Sequence, residues 1–354
     1  MAKLTVQLVV WNGAKHLSGL FNSLSSQTFR DWDLLILDNG STDDSAKIID
    51  TAISSPLFKE GIQGGVIKAG AGGDRSVKFF PQKTNVGFSG GHNILFQMSG
   101  SDYILILNQD VIFGADVFEG MINFLDHNQK VASASPRLMR IENNARDGIV
   151  DSLGLTVDRR RRFSDRKAGE PWGLQSESAT RTGPCFVFGV SATVAMYRRE
   201  AIRFATGGRL FDQFYFSYQE DMDLAWQLQL RGFESAVLLD KVAYHERGAP
   251  DATRGLWSTV SNKQNQSAIV KYYSYRNHLA TLIKNEQWPN FILDFPWILW
   301  YELMKFGYLV LFDRATLHGL SELWSERDWL KIERKRIQSG AVVGWKKMGQ
   351  WMYM

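Results

Sequence analysis

Three short segments carry side chains that can act together. Tyr218-Gln-Glu-Asp-Met-Asp-Leu-Ala-Trp226 gathers carboxylates where a helix starts, Asn108-Gln-Asp110 follows an apolar run, and His245 opens the stretch His245-Glu-Arg-Gly248. A Mg²⁺ or Mn²⁺ that bridges two phosphates takes one or two protein carboxylates and completes its shell with phosphate oxygen and water. Asp110 fits that role, and a ring nitrogen of His245 can join it. Asp221 is the candidate base, able to take a hydroxyl proton as the oxygen attacks opposite a leaving diphosphate. Glu220 beside it raises the proton affinity of the pair, since adjacent carboxylates resist carrying two negative charges. The competing account is plain capping, because acids in a first turn favour the helix dipole with or without catalysis. Asp223 is assigned to that role alone. His245 in isolation suits a structural histidine; the preceding strand Ala236 to Asp240 and the glycine after Arg247 favour a ligand.

These groups need a frame. Leu4 to Val10 and Leu34 to Leu37 have the continuous apolar character of strands covered on both faces, and Tyr103 to Leu107 repeats it. Leu17, Leu20, Phe21 and Leu24 recur at helical spacing, Asp38-Asn-Gly-Ser-Thr-Asp43 supplies turn formers and caps before a helix through Ile48 and Ile49, and another helix is expected from about Ala115 to Leu125. Strands alternating with helices predict an α/β fold, a mostly parallel sheet with crossover helices. Ligands gather beyond the carboxyl ends of such strands, which places Asn12, Asp38 and Asp110 in one cleft. Asn85-Val-Gly-Phe-Ser-Gly-Gly-His-Asn93 permits close approach of backbone to ligand before a helix start, but matches neither a P-loop nor a dinucleotide fingerprint. Phe214, Tyr215, Phe216 and Tyr218 form either a platform for sugar rings or core filling.

Bulk properties narrow the class. A 44% hydrophobic content is enough for a globular core, and 354 residues predict a catalytic domain with an appendage. A net charge of +4 is too mild for a nucleic-acid partner. The single cysteine, Cys185, sits in an apolar context, suits core packing and fits a reducing compartment. Met1 to Val10 lacks the pattern of a signal peptide, so the site is expected to face the cytoplasm. Gly61 to Asp74 is expected to be a surface loop, and Arg140 to Glu170 a polar loop whose run Arg159-Arg-Arg-Arg162 is either solvated or a basic flap for a phosphate-bearing acceptor.

From Trp288 the character changes. Phe291 to Phe312 is long and apolar, but Asp294, Glu302 and Lys305 within it would each cost roughly 2.5–3.5 kcal/mol near a bilayer centre, so a half-immersed interfacial helix is expected. Trp324, Trp329, Trp345 and Trp351 alternate with Lys331, Arg334, Lys335, Arg336, Lys346 and Lys347, a mixture suited to a headgroup zone rich in anionic lipid. A helical subdomain or a homodimer interface is the alternative. The expected division is a catalytic unit over 1–285 and a helical extension over 286–354.

Together these segments resemble family 2 glycosyltransferases of the GT-A fold, especially the bacterial rhamnosyltransferase-like branch. The matching residues are Val10-Trp-Asn12, Asp38-Asn-Gly-Ser-Thr-Asp43, Asn85-Val-Gly-Phe88 with Asn93, Asn108-Gln-Asp110, Phe211-Asp212 with Glu220-Asp-Met-Asp-Leu224, His245, and Arg276-Asn277, covering about residues 4 to 285. The resemblance implies that Asp38 pairs with the nucleotide base, that Asp110 and His245 hold Mg²⁺ or Mn²⁺, and that Asp221 is the base. It implies a donor pocket lined by Trp11, Asn12, Asn85, Gly87, Phe88 and Asn93, with Asn108 and Gln109 beside the cation and Arg247 and Arg276 near phosphate. Three positions depart from the family pattern: Asn108 stands where many relatives have Asp, Trp11 where Tyr is commoner, and Gln227 where arginine is usual. The implied activity is inverting transfer from a nucleotide-diphosphate sugar, dTDP-rhamnose ahead of UDP-sugars such as a galactofuranose or hexose donor. The acceptor would be a lipid-linked or growing polysaccharide at the inner face of the plasma membrane. Competing readings are a non-catalytic sugar-nucleotide-binding subunit of an assembly complex and a nucleotidyltransferase; no lysine- and arginine-rich glycine loop near the first strand end supports the latter.

Overall fold

The computed structural model describes residues 1–55, 62–63, 66–67, 76–142, 145–173, 183–246 and 267–353. The first strands are the apolar runs expected: β1 (Leu4–Val10), β2 (Trp32–Asp38), the dipeptide pair β3 (Ile62–Gln63) and β4 (Val66–Ile67), β5 (Val77–Pro81) and β6 (Tyr103–Leu107). β1 lies parallel to both β2 and β6, and β2 parallel to β5. Helices α1 (Ala14–Ser25), α2 (Ser45–Ser54), α3 (Gly87–Gln97) and α4 (Val117–His127) accompany them. Leu17, Leu20 and Leu24 of α1 and Phe118 of α4 meet the buried β1 and β2 residues in one core, where the Trp32 and Phe118 rings meet edge to face at 5.6 Å. Apart from the β3 and β4 backbone, the expected glycine-rich loop lies outside the described residues.

The later strands turn the sheet mixed. β7 (Val111–Phe113), β8 (Val131–Glu142), β9 (Ala145–Ser152), β10 (Leu155–Val157), β11 (Phe163–Asp165), β12 (Pro184–Val187), β13 (Val194–Arg198) and β14 (Glu234–His245) follow in chain order. β13 runs antiparallel to β6, β14 runs parallel to β8, and the main sheet is ordered β12-β14-β8-β13-β6-β1-β2-β5. α5 (Arg199–Thr206) and α6 (Glu220–Leu230) lie between β13 and β14. β14 runs on to residue 245, so His245 ends a strand instead of occupying a loop after one.

The polar stretch after Arg140 is a correction: it forms β8, β9 and the β10–β11 hairpin. The Arg159–Arg162 run sits in that hairpin's turn and is solvated only in part: Arg160 and Arg162 are exposed, whereas Arg159 and Arg161 turn inward. The Arg161 side chain is fully buried, hydrogen-bonded to Glu286 and paired with Asp294 at 2.9 Å; Arg159 also reaches Asp294 at 2.9 Å and lies 3.7 Å over the Trp297 ring. The partners lie more than 120 residues away, so local composition could not show them.

The C-terminal helices are α7 (Ala268–Asn285), α8 (Trp288–Phe312), α9 (His318–Ser325), α10 (Arg327–Ser339) and α11 (Trp345–Gly349). Inside α8 the charged residues turn inward: Asp294 to the arginines, Glu302 to His278 at 2.9 Å, and Lys305 to Glu302 at 3.8 Å. The outward face exposes Ile292, Leu293, Trp300, Leu303 and Met304. No described helix is long and apolar enough to cross a membrane. The array is tied to the core: Val342 and Val343 donate to the Leu230 carbonyl at 2.9 and 3.1 Å, and Arg336 donates to Gln227 at 2.8 Å. Asp223 is a second correction. It is no mere cap but accepts from buried Lys284 at 2.9 Å and Asn285 at 2.6 Å, and Lys284 also reaches Asp212 at 2.7 Å.

Candidate active site

Parallel register brings the strand ends into line. Val10 is opposite Asp38, and Leu8 is opposite Leu107, so Trp11, Asn12, Asp38 and Asn108 emerge from one edge of the sheet. Asn12 adopts φ 50° and accepts from the Thr42 amide at 2.8 Å, while its own amide donates to Ser41 Oγ at 2.9 Å. Buried Asp38 accepts from the Ser41 hydroxyl. Gln109 and Trp11 hold each other: the Trp11 amide donates to Gln109 Oε1 at 3.0 Å, and Gln109 Nε2 donates to the Trp11 carbonyl at 3.1 Å. The Trp11 indole is left exposed.

Asn39, unassigned in the sequence reading, organises the neighbouring loop. Its amide donates to Asn85 Oδ1 at 2.9 Å and to the Gly87 carbonyl at 3.1 Å, and its oxygen accepts from Val86 N at 2.9 Å. Gly87 has φ 80°, and a Cβ there would stand 2.3 Å from the Phe216 carbonyl oxygen. Only glycine lets this loop press against the segment leading to α6.

That segment forms the opposite wall of a cleft of about 460 Å³, whose lining includes Phe88, Asn108, Tyr218, Glu220 and Asp221. Tyr218 and Gln219 are both left-handed, at φ 71° each. Consecutive non-glycine residues in this region cost about 1–3 kcal/mol each and persist only when neighbours enforce them. The enforcer is Asn277, whose amide donates to the Ser217 and Tyr218 carbonyls at 2.9 and 2.8 Å. Asp221 accepts from Ala192 N at 3.2 Å and from its neighbour Met222 N at 2.8 Å. Asn108 N in turn donates to the Thr193 carbonyl at 2.9 Å, so β6, β13 and α6 are linked in one short chain.

The two acids differ. Burial, followed by the Asp221 charge, pushes Glu220 up to about 8, and its Oε2 is buried with no described partner, as suits a protonated carboxyl. Burial also raises Asp221, opposed by the backbone amides of Ala192 and Met222. Those amides favour the anion, so Asp221 ionises first and Glu220 keeps the proton.

The second cluster forms where β14, β7 and β9 converge. His245 Nε2 stands 3.3 Å from Asp110 Oδ1, and its Nδ1 is 2.8 Å from Asp151 Oδ2, behind which lies Arg140. Burial alone would depress the imidazole, but hydrogen bonding and charge from Asp110 and Asp151 carry it up to about 9. Asp110 Oδ1 is buried, with the His245 ring nitrogen as its described neighbour at 3.3 Å. An acid holding one ring nitrogen while the other faces a carboxylate is an arrangement that suits a divalent cation. Among the described residues no group of three His, Cys, Asp or Glu side chains gathers as a cage, so phosphate and water would complete any shell. Asp151 went unassigned because no local motif marks it.

Other expected site residues are engaged elsewhere. Asn93 clamps backbone, accepting from Leu210 N and Phe211 N at 3.1 and 2.9 Å and donating to the Phe211 carbonyl at 2.9 Å. Buried Arg276 spends its donors on Asn277, Glu322 and the Phe214 carbonyl. Of the aromatic platform, Tyr215 is core, Phe214 stacks on Trp329 and Phe216 on Tyr273, leaving Tyr218 on the cleft. Arg247 lies outside the described residues.

A mixed sheet with a cleft of about 460 Å³ at its strand ends, flanked by acids and a carboxylate–imidazole pair, is the architecture of a GT-A-type transferase. The family model described as glycosyl transferase family 2 matches residues 5–204, and the chain belongs to that family. Among curated relatives, it is 28% identical over 131 residues to an uncharacterized glycosyltransferase of Haemophilus influenzae, covering 37% of this chain and 45% of that protein. It is 26% identical over 110 residues to the teichoic acid poly(glycerol phosphate) polymerase of Staphylococcus epidermidis, covering 31% of this chain and 13% of the polymerase. The chain therefore spans less than half the length of these relatives. In fold it is similar to GalNAc-T7, solved with UDP, GalNAc and Mn²⁺, at TM-score 0.57 and 14% identity, covering 80% of this chain and 49% of that one. It is also similar to the mannosyltransferase PcManGT of Pyrobaculum calidifontis, solved with GDP-Man and Mn²⁺, at TM-score 0.50 and 14% identity, covering 99% and 85%.

Proposed function

We propose that this family 2 transferase is inverting and cation-dependent, moving a sugar from a nucleotide diphosphate to a hydroxyl of a lipid-linked or polysaccharide acceptor. The observation that carries the reading is the acid pair on the cleft wall: Asp221 is held by the Ala192 and Met222 amides beside Glu220, which burial raises to about 8. In the reaction Asp221 takes the acceptor proton. The acceptor oxygen bonds to the anomeric carbon as the bond from that carbon to the diphosphate breaks, and the nucleoside diphosphate leaves with the electron pair. Asp110 and His245, oriented by Asp151, would hold the cation, which supplies positive charge to the leaving diphosphate when bound. Asp38, Asn12 and the Asn85–Phe88 loop are assigned to the nucleotide, with Asn39 and Asn93 as positioning residues. Arg276 is assigned to holding the acceptor wall through Phe214.

dTDP-rhamnose is the first donor to test, followed by UDP-sugars; the solved neighbours hold UDP and GDP-mannose respectively. The exposed apolar face of α8 supports attachment to a membrane surface. The test is nucleotide release from a donor panel with Mg²⁺ or Mn²⁺. Asp221→Asn is expected to lose roughly 10²–10⁴-fold in turnover while binding nucleotide as before. Full activity in that variant removes Asp221 from the chemistry. Nucleotide binding without turnover of any donor makes the chain a sugar-nucleotide-binding subunit.

A further inference from the structure

A cavity of about 440 Å³ lies between the end of α7 and the start of α8 and shares no lining residue with the cleft. Its sides are apolar: Leu279, Leu282 and Ile283 from α7 face Phe291, Phe295 and Leu299 from α8. Charge at its inner end is already matched, since Arg161 and Glu286 are buried against each other and Glu302 bonds to His278. The rim is open, with Ile283, Phe295 and Leu299 exposed by 42%, 43% and 41%. Its size is that of a ligand pocket, and its walls suit hydrocarbon. Ile292 and Leu293, also exposed, continue the apolar surface along α8.

A basic groove adjoins this cavity. Trp288 and Arg334 line both, and the groove, of about 520 Å³, also carries Lys331, Lys335 and Trp345. Lys331, Arg334 and Lys335 are spaced by three and four residues, so they share one face of α10. Arg334 is fixed at the junction: its Nη1 donates to the Ile283 carbonyl at 2.6 Å, and its guanidinium lies 5.2 Å over the Trp288 ring. That uses one of five donors. Lys331 is balanced by Asp328 at 3.0 Å, whereas Arg334 and Lys335 make no ion pair among the described residues. Surplus positive charge therefore stands beside an open apolar space, with the exposed Trp288 indole at the border as suits a headgroup zone.

The ligand complementary to both halves is an anion that carries a hydrocarbon chain. Because cavity and cleft share no wall, a molecule held here does not present a hydroxyl to Asp221, which separates it from the sugar acceptor. We infer that groove and cavity together form a site for one anionic phospholipid of the bilayer, with its phosphate on Arg334 and Lys335 and an acyl chain between α7 and α8. This rests on the membrane attachment read from α8; it adds which class of lipid is held and which side chains select it.

The test is a tryptophan-fluorescence titration of the full chain with dihexanoyl phosphatidylglycerol, kept below the concentration at which it forms micelles. Dihexanoyl phosphatidylcholine and glycerol phosphate are the arms lacking net charge and hydrocarbon. Phosphatidylglycerol is expected to bind more tightly than either. Arg334→Gln with Lys335→Gln should weaken it roughly 10-fold, to the level of phosphatidylcholine. Arg334→Lys with Lys335→Arg keeps the charge and should bind as the wild type does. Ile283→Gln with Leu299→Gln, at the half-exposed rim, should weaken both lipids. Lys47→Gln with Lys78→Gln removes equal charge from exposed positions elsewhere and should weaken neither. Equal binding of phosphatidylglycerol by wild type and a folded Arg334/Lys335 glutamine variant overturns the site, as does equal binding of the two lipids by the wild type. Glycerol phosphate binding as tightly as phosphatidylglycerol overturns the acyl-chain assignment. Farnesyl diphosphate binding more tightly than phosphatidylglycerol, with UDP saturating, gives the cavity to an isoprenoid acceptor and overturns the anchor. Self-association lost in Ile283→Gln with Leu299→Gln, without lipid binding, gives the face to a second copy and overturns it too. Flotation with phosphatidylcholine vesicles, with and without phosphatidylglycerol, separates the site from the attachment. Flotation that ignores every site variant keeps attachment through α8 and overturns the site; monomeric lipid binding with the expected dependence, but no flotation, does the reverse.

Discussion

Two kinds of buried ionic cluster occur in this molecule, and they differ in completeness. Between core and C-terminal helices, Lys284 lies between Asp212 and Asp223, with Asn285 and Gln227 donating to Asp223; Arg161 and Arg159 together meet Glu286 and Asp294. Opposite charges meet there with hydrogen bonds around them, and the clusters act as joints. At the strand ends the balance is broken at the acid pair. Asp110 and Asp151 share one imidazole, with Arg140 3.6 Å behind Asp151, whereas the adjacent Glu220 and Asp221 have no ion pair among the described residues. Surplus negative charge in a confined place binds protons and metal ions. Complete clusters hold the molecule together, and incomplete ones are available for chemistry.

That contrast can be broken experimentally. The largest effect is expected from Lys284→Met, which strands two buried carboxylates and should destabilise the fold by roughly 3–5 kcal/mol in denaturant titrations. A stability unchanged by this variant would remove the joint. Asp151→Asn neutralises the buried partner of Arg140 and His245 and should lower the unfolding midpoint less than Lys284→Met does, while weakening Mn²⁺-dependent nucleotide binding or turnover by about 10–100-fold, the effect expected if His245 holds the cation. Loss of stability without loss of Mn²⁺ response would class Asp151 with the joints.

Glu220→Gln probes the proton. Because the folded protein holds the Glu220 proton up to about 8, against an ordinary 4.5, the wild type is favoured at low pH and loses stability as pH climbs between those values. The glutamine variant should flatten that slope in thermal melts recorded from pH 5 to 8. A slope identical to wild type contradicts the assignment of the proton to Glu220. The smallest effect is expected at the exposed Asp328–Lys331 pair, where Lys331→Ala should move neither melting nor turnover measurably.

The strands and the acids that follow them were legible because their signals are short-range: an apolar run, then Asp38 or Asn108-Gln-Asp110. The helix start that carries Glu220 and Asp221 was legible for the same reason. What escaped was tertiary. Asp151 approaches His245 across 94 residues, and Arg161 meets Asp294 across 133, so neither carries a local mark of its partner. Asn39 lay inside a recognised motif, but its amide is spent on Asn85 and Gly87, a relation visible only once two loops are adjacent. Asp223 was placed at the right spot on α6 with too small a role, because first-turn acids look alike until Lys284 arrives from α7.

The double left-handed turn before Asp221 is gripped from α7 by the single amide of Asn277. α7 is joined through His278 and Glu302 to α8, whose outer side is apolar. Asp221 is thus linked through side chains to a helix whose apolar side is exposed. Pressing or tilting α8 would be transmitted, through two side-chain linkages, to the torsions that aim the carboxylate.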